Sequence, residues 1–592
     1  MSPPAPASRK IFRDPTRLAR NLRALLRSHE LALVPASAVI GIVAAACVTL
    51  MTKTAMFMHV LIYDLPFDLH LSAADHVAPL AAFSALMLGG LGLGVMEAFR
   101  IRKGIPGPVD PVEANALRGG QMSLRDSIVV SFQTLVSNSC GASVGLEAGY
   151  AQIGSSLGSF FGQNLRLRRG DLRLLVGAGA AAAIGSAFGA PLTGAFYAFE
   201  VVLGTYSIAA AGPVFAASII GVLVTKFVSG APYQIVTPPV QPLTFLQYPV
   251  LFVLAGCSVA LGVSVMRLAG ASERALQTTS APIWSRPLLG GAAVAALATV
   301  TPQVLGAGHG ALGLNISGNF PLTVLAAFLA LKAVASLISL ATGFRGGLFF
   351  ASLLMGATMG KIYGALLIAG LPAFAPDPTI CILAGMATLG VVIVGGPLTM
   401  SFLVLENTSD YSVTAGVIAA SIVASLLVRS TFGYSFSTWR LHLRGENVRS
   451  ASDIGWIDDL KVGKLMRHNP PTAPAWLPID EFCDRHPLGS SQFVVLLDEN
   501  GRYAGMVNLA ESHLHARGAE VLMSSLARQK DVWLVPQMNA KTAMALFDQT
   551  EADQLVVLDP ETKAPIGVLN EAYLARRYAE QADAAFRSAF GM

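Results

Sequence analysis

The chain is short of charge. Of its 592 residues only 13% are Asp, Glu, Lys or Arg, while 53% are hydrophobic. A soluble globular protein carries about 25% charge. Apolar surface in this excess cannot all be hidden in globular cores, so most of the chain belongs in lipid. That excludes a cytosolic enzyme, a secreted disulfide scaffold and a disordered protein. Cysteine is also scarce. Cys47, Cys140, Cys257, Cys381 and Cys483 are scattered, four of them in apolar stretches, as small packed hydrophobes would be, and imply neither disulfide nor metal framework. The ten histidines are dispersed, and neither HExxH nor CxxC occurs. We therefore expect no enzyme activity, no metal and no cofactor. A net charge of +5 does not suggest a nucleic-acid partner. Gly (57) and Pro (33) are plentiful and recur inside the apolar stretches, which fits interrupted membrane helices.

Three zones follow. Residues 1–30 hold Arg9, Lys10, Arg13, Arg17, Arg20, Arg23 and Arg27 against Asp14 and Glu30. Such a basic arm before the first apolar span predicts a cytoplasmic N-terminus, and it can also lie on anionic lipid. The apolar run 31–51 is too long for a signal peptide. Residues 31–445 alternate apolar segments with short polar breaks, and 446–592 return to soluble composition, too charged to span a bilayer. Within the apolar zone, GAPLTGAFYAFE at 189–200 matches GGPLTMSFLVLE at 395–406. The glycines of 141–162 recur in 343–364, at Gly145, Gly154, Gly158 and Gly162 and at Gly347, Gly356, Gly360 and Gly364. Two matches in one order at nearly equal offsets predict two related halves, about 31–230 and 246–445. Segments 146–161 and 348–358 read as short half-helices opening at glycines. In the tail, QFVVLLDENGRYAGMVN at 492–508 matches QLVVLDPETKAPIGVLN at 554–570, each a strand, turn and strand. This predicts a tandem pair of small α/β units, about 460–517 and 530–580.

The duplication puts Glu147 and Phe349 at equivalent helix starts. A helix start exposes free N–H groups and about half a positive charge, so two brought together can hold an anion without a full cation. A carboxylate in an apolar segment costs several kcal/mol unless paired, protonated or wet. Beside a helix start Glu147 mimics an anion, which makes it either a plug displaced by the permeant ion or an ordinary capping acid.

These residues resemble the CLC family of chloride channels and chloride/proton antiporters over about 35–445, and the tail resembles the CBS-domain pair of many members. RKGIP at 102–106 is similar to the family's first filter motif, GLEAG at 145–149 to the second with Glu147 at the gating position, and GGLFFA at 346–351 to the third. The resemblance implies an all-α polytopic inverted-repeat fold with discontinuous helices, a cytoplasmic α/β CBS pair, and a homodimer with one pathway for chloride or another small anion per subunit. It implies anion contacts from Lys103, Gly104, Ile105, Gly145, Leu146, Gly149, Gly347, Leu348, Phe349 and Ser437.

Departures from the family pattern bear on mechanism. The filter serine falls on Lys103, and a lysine about 5 Å from an anion adds roughly 3 kcal/mol at an effective dielectric of about 20. It could bind the anion tightly, favour another anion, pair with Glu147, or snorkel to the interface. The antiporters' proton glutamate falls on Val201, which cannot carry a proton, while neighbouring Glu200 reads as a structural acid. The inner-gate tyrosine falls on Ser437, with Tyr434 three residues early. Ala351 stands for the third motif's proline, and Arg102 for the first motif's glycine. In the tail, Asn508 and Glu511 occupy positions that contact the ribose of an adenine nucleotide in nucleotide-binding CBS pairs; a ligand-free platform is the other reading. We expect a channel or uncoupled transporter gated by Glu147, with an antiporter, or a membrane-anchored CBS nucleotide sensor, as alternatives.

Overall fold

The computed structural model describes residues 32–67, 69–230, 240, 242–446, 448, 460–514, 521–550, 552–578 and 580. The basic arm 1–30 lies outside them. The chain divides into two units, Met1–Asp453 and Ile454–Met592.

The first unit is helical throughout its described residues. Its first eight helices are α1 (Leu33–Tyr63), α2 (Pro79–Arg102), α3 (Pro111–Leu117), α4 (Leu124–Ser139), α5 (Glu147–Asn164), α6 (Arg169–Phe188), α7 (Pro191–Tyr197) and α8 (Ile208–Ser229). The next eight repeat the order: α9 (Tyr248–Gln277), α10 (Ser285–Ala298), α11 (His309–Ser317), α12 (Leu322–Thr342), α13 (Phe349–Gly370), α14 (Pro378–Val394), α15 (Pro397–Thr408) and α16 (Tyr411–Thr431). A last helix, α17, spans Phe436–Leu443. Eight of the described helical segments are long and apolar enough to cross a membrane.

The glycines matched in sequence sit where helices touch. A Cβ on Gly154 of α5 would stand 2.3 Å from the Gly179 carbonyl oxygen of α6, and one on Gly158 would stand 2.0 Å from that of Leu175. In the second half Gly356 and Gly360 of α13 meet the carbonyls of Gly385 and Cys381 of α14 at 2.3 and 2.1 Å. Small residues four apart let two backbones approach, which is how membrane helices associate where burial offers no driving force. The same contact corrects the expected length of 348–358. The glycines there are packing positions within one continuous helix, and α13 runs 22 residues to Gly370.

Two acids lock the halves. Glu406 of α15 accepts the Leu192 and Thr193 N–H groups (2.7 and 2.8 Å) and the Thr193 hydroxyl (2.7 Å) at the start of α7. Reciprocally, Glu200 accepts the Leu398 and Thr399 N–H groups (3.0 and 2.8 Å) and the Thr399 hydroxyl (2.7 Å) at the start of α15. Each carboxylate satisfies helix-start donors and complements the dipole of the other half's helix.

The C-terminal unit holds two three-stranded sheets. One has β2 (Thr472–Pro474), β3 (Phe493–Leu497) and β4 (Tyr503–Asn508); the other has β1 (Arg467–His468), β6 (Pro565–Asn570) and β5 (Gln554–Leu558). The hairpins β3–β4 and β5–β6 carry a bulge at equivalent places, between Leu496 and Leu497 and between Val557 and Leu558. β1 lies within 460–517 yet pairs with β6, so the chain's entry strand completes the second sheet. Phe482 and Phe547 are the largest apolar side chains buried in the two sub-cores.

Candidate anion site at paired helix starts

The turns before α5 and α13 face each other. The Gly145 N–H donates to the Gly347 carbonyl at 3.0 Å, and the Gly347 N–H donates to that of Gly145 at 3.2 Å. Two polar ties reinforce the pair: the Arg345 N–H donates to Ser137 Oγ (2.9 Å), and Ser143 Oγ lies 3.1 Å from Ser336 Oγ. Phe188 stacks on Phe349 with centroids 5.0 Å apart. In α5 the first intrahelical bond is Tyr150 N–H to the Leu146 carbonyl, and in α13 it is Ser352 N–H to the Leu348 carbonyl. The N–H groups of Glu147, Ala148 and Gly149, and of Phe349, Phe350 and Ala351, therefore precede the ladder, as at any helix start. Of the backbone groups named from sequence, those of Gly145 and Gly347 are spent on each other.

Glu147 is the charged group of this junction. The residue is 2% exposed, and neither carboxylate oxygen has a hydrogen-bond partner among the described residues. The side chain folds back over its own turn, where a Cβ on Gly145 would stand 1.8 Å from Oε2. Only glycine leaves room for the carboxylate there. His309 Nε2 lies 3.8 Å from Oε1, within ionic range and beyond a hydrogen bond. Lys332, fully buried on α12, donates from Nζ to the carbonyls of Val304 (3.1 Å) and Gly306 (2.8 Å).

A cavity of about 450 Å³ runs to the junction and is lined there by Ala148, Gly346 and Gly347. Ser437 and Phe436 of α17 line it, as do Pro108 and Asp110. Four arginines face it, Arg286, Arg345, Arg440 and Arg444, against Glu97, Asp110 and Glu273. Among these, Arg345 Nη2 sits 3.5 Å from Glu97 Oε2. A second, smaller cavity of about 80 Å³ is lined by Glu200, Val201 and Tyr434. Glu200 is further bonded by the Tyr206 hydroxyl at 2.8 Å.

The first filter segment needs correction. Lys103, Gly104 and Ile105 do not line the cavity; all three are exposed. They end α2. Gly104 adopts φ 64°, its N–H donates to Ile101, and the Ile105 N–H donates to Arg100, which is the paired-bond helix stop glycine favours. Lys103 reaches over the Phe99 ring, 5.7 Å from its centroid, in the geometry of a snorkelling lysine. The next helix start lies at Asp110–Pro111, where Asp110 Oδ1 accepts the Val112 N–H at 2.8 Å and Pro111 takes the first helical position. The string Asp-Pro-Val-Glu carried that signal, as Arg-Lys-Gly-Ile-Pro carried the signal of an ending. Arg345, Lys332 and His309 also escaped the sequence reading, because nothing local marks them as neighbours of Glu147.

In the C-terminal unit, Asn508 Oδ1 accepts the Ala510 N–H at 2.9 Å as a helix cap, and Glu511 pairs with Arg528 at 3.0 Å. Among the described residues no group of three His, Cys, Asp or Glu side chains is arranged to hold a metal.

Solved structures share the architecture. The X-ray structure of a slow cyanobacterial Cl⁻/H⁺ antiporter aligns with TM-score 0.61 at 18% identity, covering 70% of this chain and 99% of that one. A eukaryotic CLC transporter aligns with TM-score 0.57 at 15% identity, over 93% and 98% of the two chains. These likenesses give the fold, an inverted repeat with discontinuous helices. Residues 89–429 match the family described as voltage gated chloride channel, and the chain belongs to that family. A putative chloride channel protein ClcB-like from Ralstonia nicotianae is 31% identical over 354 residues, 58% of this chain and 81% of the relative. The voltage-gated ClC-type chloride channel ClcB of Escherichia coli O81 is 27% identical over 397 residues, 66% and 94% of the two chains.

Proposed function

We propose that this chain forms one anion pathway per subunit of a homodimer, with both termini cytoplasmic, and passes chloride or a similar small anion without obligatory proton exchange. The N–H groups opening α5 and α13 hold the anion, and the Glu147 carboxylate competes for the same place. The observation that carries this reading is the Gly145–Gly347 pairing, which sets the two helix starts together with the unbonded Glu147 carboxylate buried on them. A carboxylate buried without donors is under pressure to move out or take up a proton. The arginine-rich cavity supplies a route toward the junction, since fixed cations raise the local anion concentration. We place Asp110 and Arg345 in that route and leave Lys103 outside it.

Val201 favours uncoupled flux, because its apolar side chain cannot take up a proton and neighbouring Glu200 is engaged by the start of α15. The antiporter reading has its own support in the solved Cl⁻/H⁺ and F⁻/H⁺ antiporters of the same fold. Flux in liposomes separates the two: a chloride gradient that drives protons uphill refutes the uncoupled reading. Glu147→Gln should raise anion flux and flatten its dependence on pH, and an unchanged profile rejects the gate. For the C-terminal unit we propose a CBS-like dimerising platform without nucleotide, since Asn508 and Glu511 already have partners. ATP or AMP binding to the purified full chain with no anion flux would favour the sensor instead.

A further inference from the structure

Resting on the proposed gate, we infer that His309, backed by His70, carries protons between solvent and the Glu147 carboxylate on the side of the junction away from the arginine-lined cavity. His309 opens α11, and its position is fixed from four directions. Ser72 Oγ accepts the N–H groups of Gly310 and Ala311 at 3.1 and 3.2 Å, capping that helix. The Gly306 N–H donates to the Gly141 carbonyl at 3.0 Å. Lys332 Nζ grips the carbonyls of Val304 and Gly306 in the same loop. The His309 ring lies flat on Phe350, centroids 3.7 Å apart, one residue past the start of α13. These constraints aim Nε2 at Glu147 Oε1, 3.8 Å away.

Exposure falls along the same line. The His309 side chain is 27% exposed and that of Glu147 2%. His70 stacks on His309 with centroids 5.6 Å apart and is itself partly buried. Neither histidine lines the large cavity. Charged and titratable groups facing His309 among the described residues include Glu147 from α5, Lys332 from α12, His59 from α1 and His70 from the α1–α2 connection. His59 is held elsewhere, its Nε2 3.0 Å from the Asn138 carbonyl oxygen. Lys332 is already bonded twice, to the carbonyls of Val304 and Gly306.

The transfer balances simply. The Nε2–H bond of the His309 imidazolium breaks and an O–H bond forms on Glu147 Oε1, leaving a neutral ring and a neutral carboxyl. Hydronium on the exposed side then reprotonates the ring and is left as water. A closing movement of about 1 Å brings the pair to hydrogen-bond distance, and such pairs are commonly loose before the working state forms. A protonated Glu147 no longer competes as an anion, so the carrier sets how fast the gate responds to acid on that side.

The test measures, in liposomes, steady anion flux across pH and its rate of change after an acid jump on the His309 side, for His309→Ala, His309→Gln, Glu147→Gln and the double variant Glu147→Gln with His309→Ala. A positioned proton carrier contributes roughly 10²–10⁴-fold to its step. The rate at which flux rises after the acid jump should therefore fall by at least about 10²-fold in both single histidine variants, and free imidazole should restore it in His309→Ala. The double variant should match Glu147→Gln and ignore imidazole. A wild-type response rate in both histidine variants, or a loss that imidazole leaves unchanged, overturns the carrier while a flat Glu147→Gln profile keeps the gate. A pH profile unaltered by Glu147→Gln removes the gate and the carrier together.

Discussion

Glu406→Gln isolates the lock between the two halves. The carboxylate accepts two backbone N–H groups and one hydroxyl, all within 2.8 Å. Hydrogen bonds to a charged group contribute about 1.5–3 kcal/mol, against about 0.5–1.5 kcal/mol for neutral ones. Removing the charge across three bonds therefore costs roughly 3 kcal/mol. The amide NH₂ must also face an N–H, leaving a donor unsatisfied at about 1–3 kcal/mol. The site is half-buried, so solvent recovers part of this, and we expect about 3 kcal/mol net. At roughly 2–4 °C per kcal/mol for domains of about 150–250 residues, and less for larger ones, the detergent-solubilised protein should melt about 5 °C lower. Thr193→Val removes one bond to that charged group and should cost about 1.5–2 kcal/mol. Glu200→Gln should cost at least as much as Glu406→Gln, because Tyr206 adds a fourth donor. Melting by tryptophan fluorescence or by loss of the monodisperse chromatographic peak reads all three. A Glu406→Gln protein melting within about 1 °C of wild type, or less affected than Thr193→Val, refutes the reciprocal lock.

Gly154→Val and Gly356→Val should each destabilise the transport unit by at least about 1–3 kcal/mol, since the added carbons meet backbone that cannot yield; the same melting assay checks this. Gly145→Ala should expel the Glu147 carboxylate from its turn and raise flux with a weaker pH dependence, as Glu147→Gln does; liposome flux with wild-type gating would reject the stated packing. Lys103→Ser should leave the chloride-to-nitrate permeability ratio unaltered, because Lys103 is exposed at the end of α2. Arg345→Gln should lower the rate of chloride flux several-fold by removing a cation from the cavity wall, which flux at low salt reads most sensitively.

The sequence by itself determined the membrane location, the duplication and the two helix starts that matter most. Charge scarcity and apolar length are properties of composition, and the recurring glycines and Gly-Pro-Leu-Thr strings are local, so no folding was needed to read them. Gly145, Glu147 and Phe349 were legible because a helix start announces itself within a few residues. Tertiary structure decided the rest. Whether Lys103 faced an anion turned on the end of α2, where Gly104 in a left-handed conformation closes the helix and sends the lysine outward. The length of α13 turned on its partner α14, which converts glycines that look like breaks into contact points. Glu200 and Glu406 looked like acids within their own segments, and only the packing of α7 against α15 makes each the cap of the other's helix. His309 and Lys332 lie 162 and 185 residues beyond Glu147 in the chain. These side chains meet because the fold brings α11 and α12 to the start of α5. Long-range juxtaposition of this kind depends on side-chain volume and helix crossing, which no local pattern encodes.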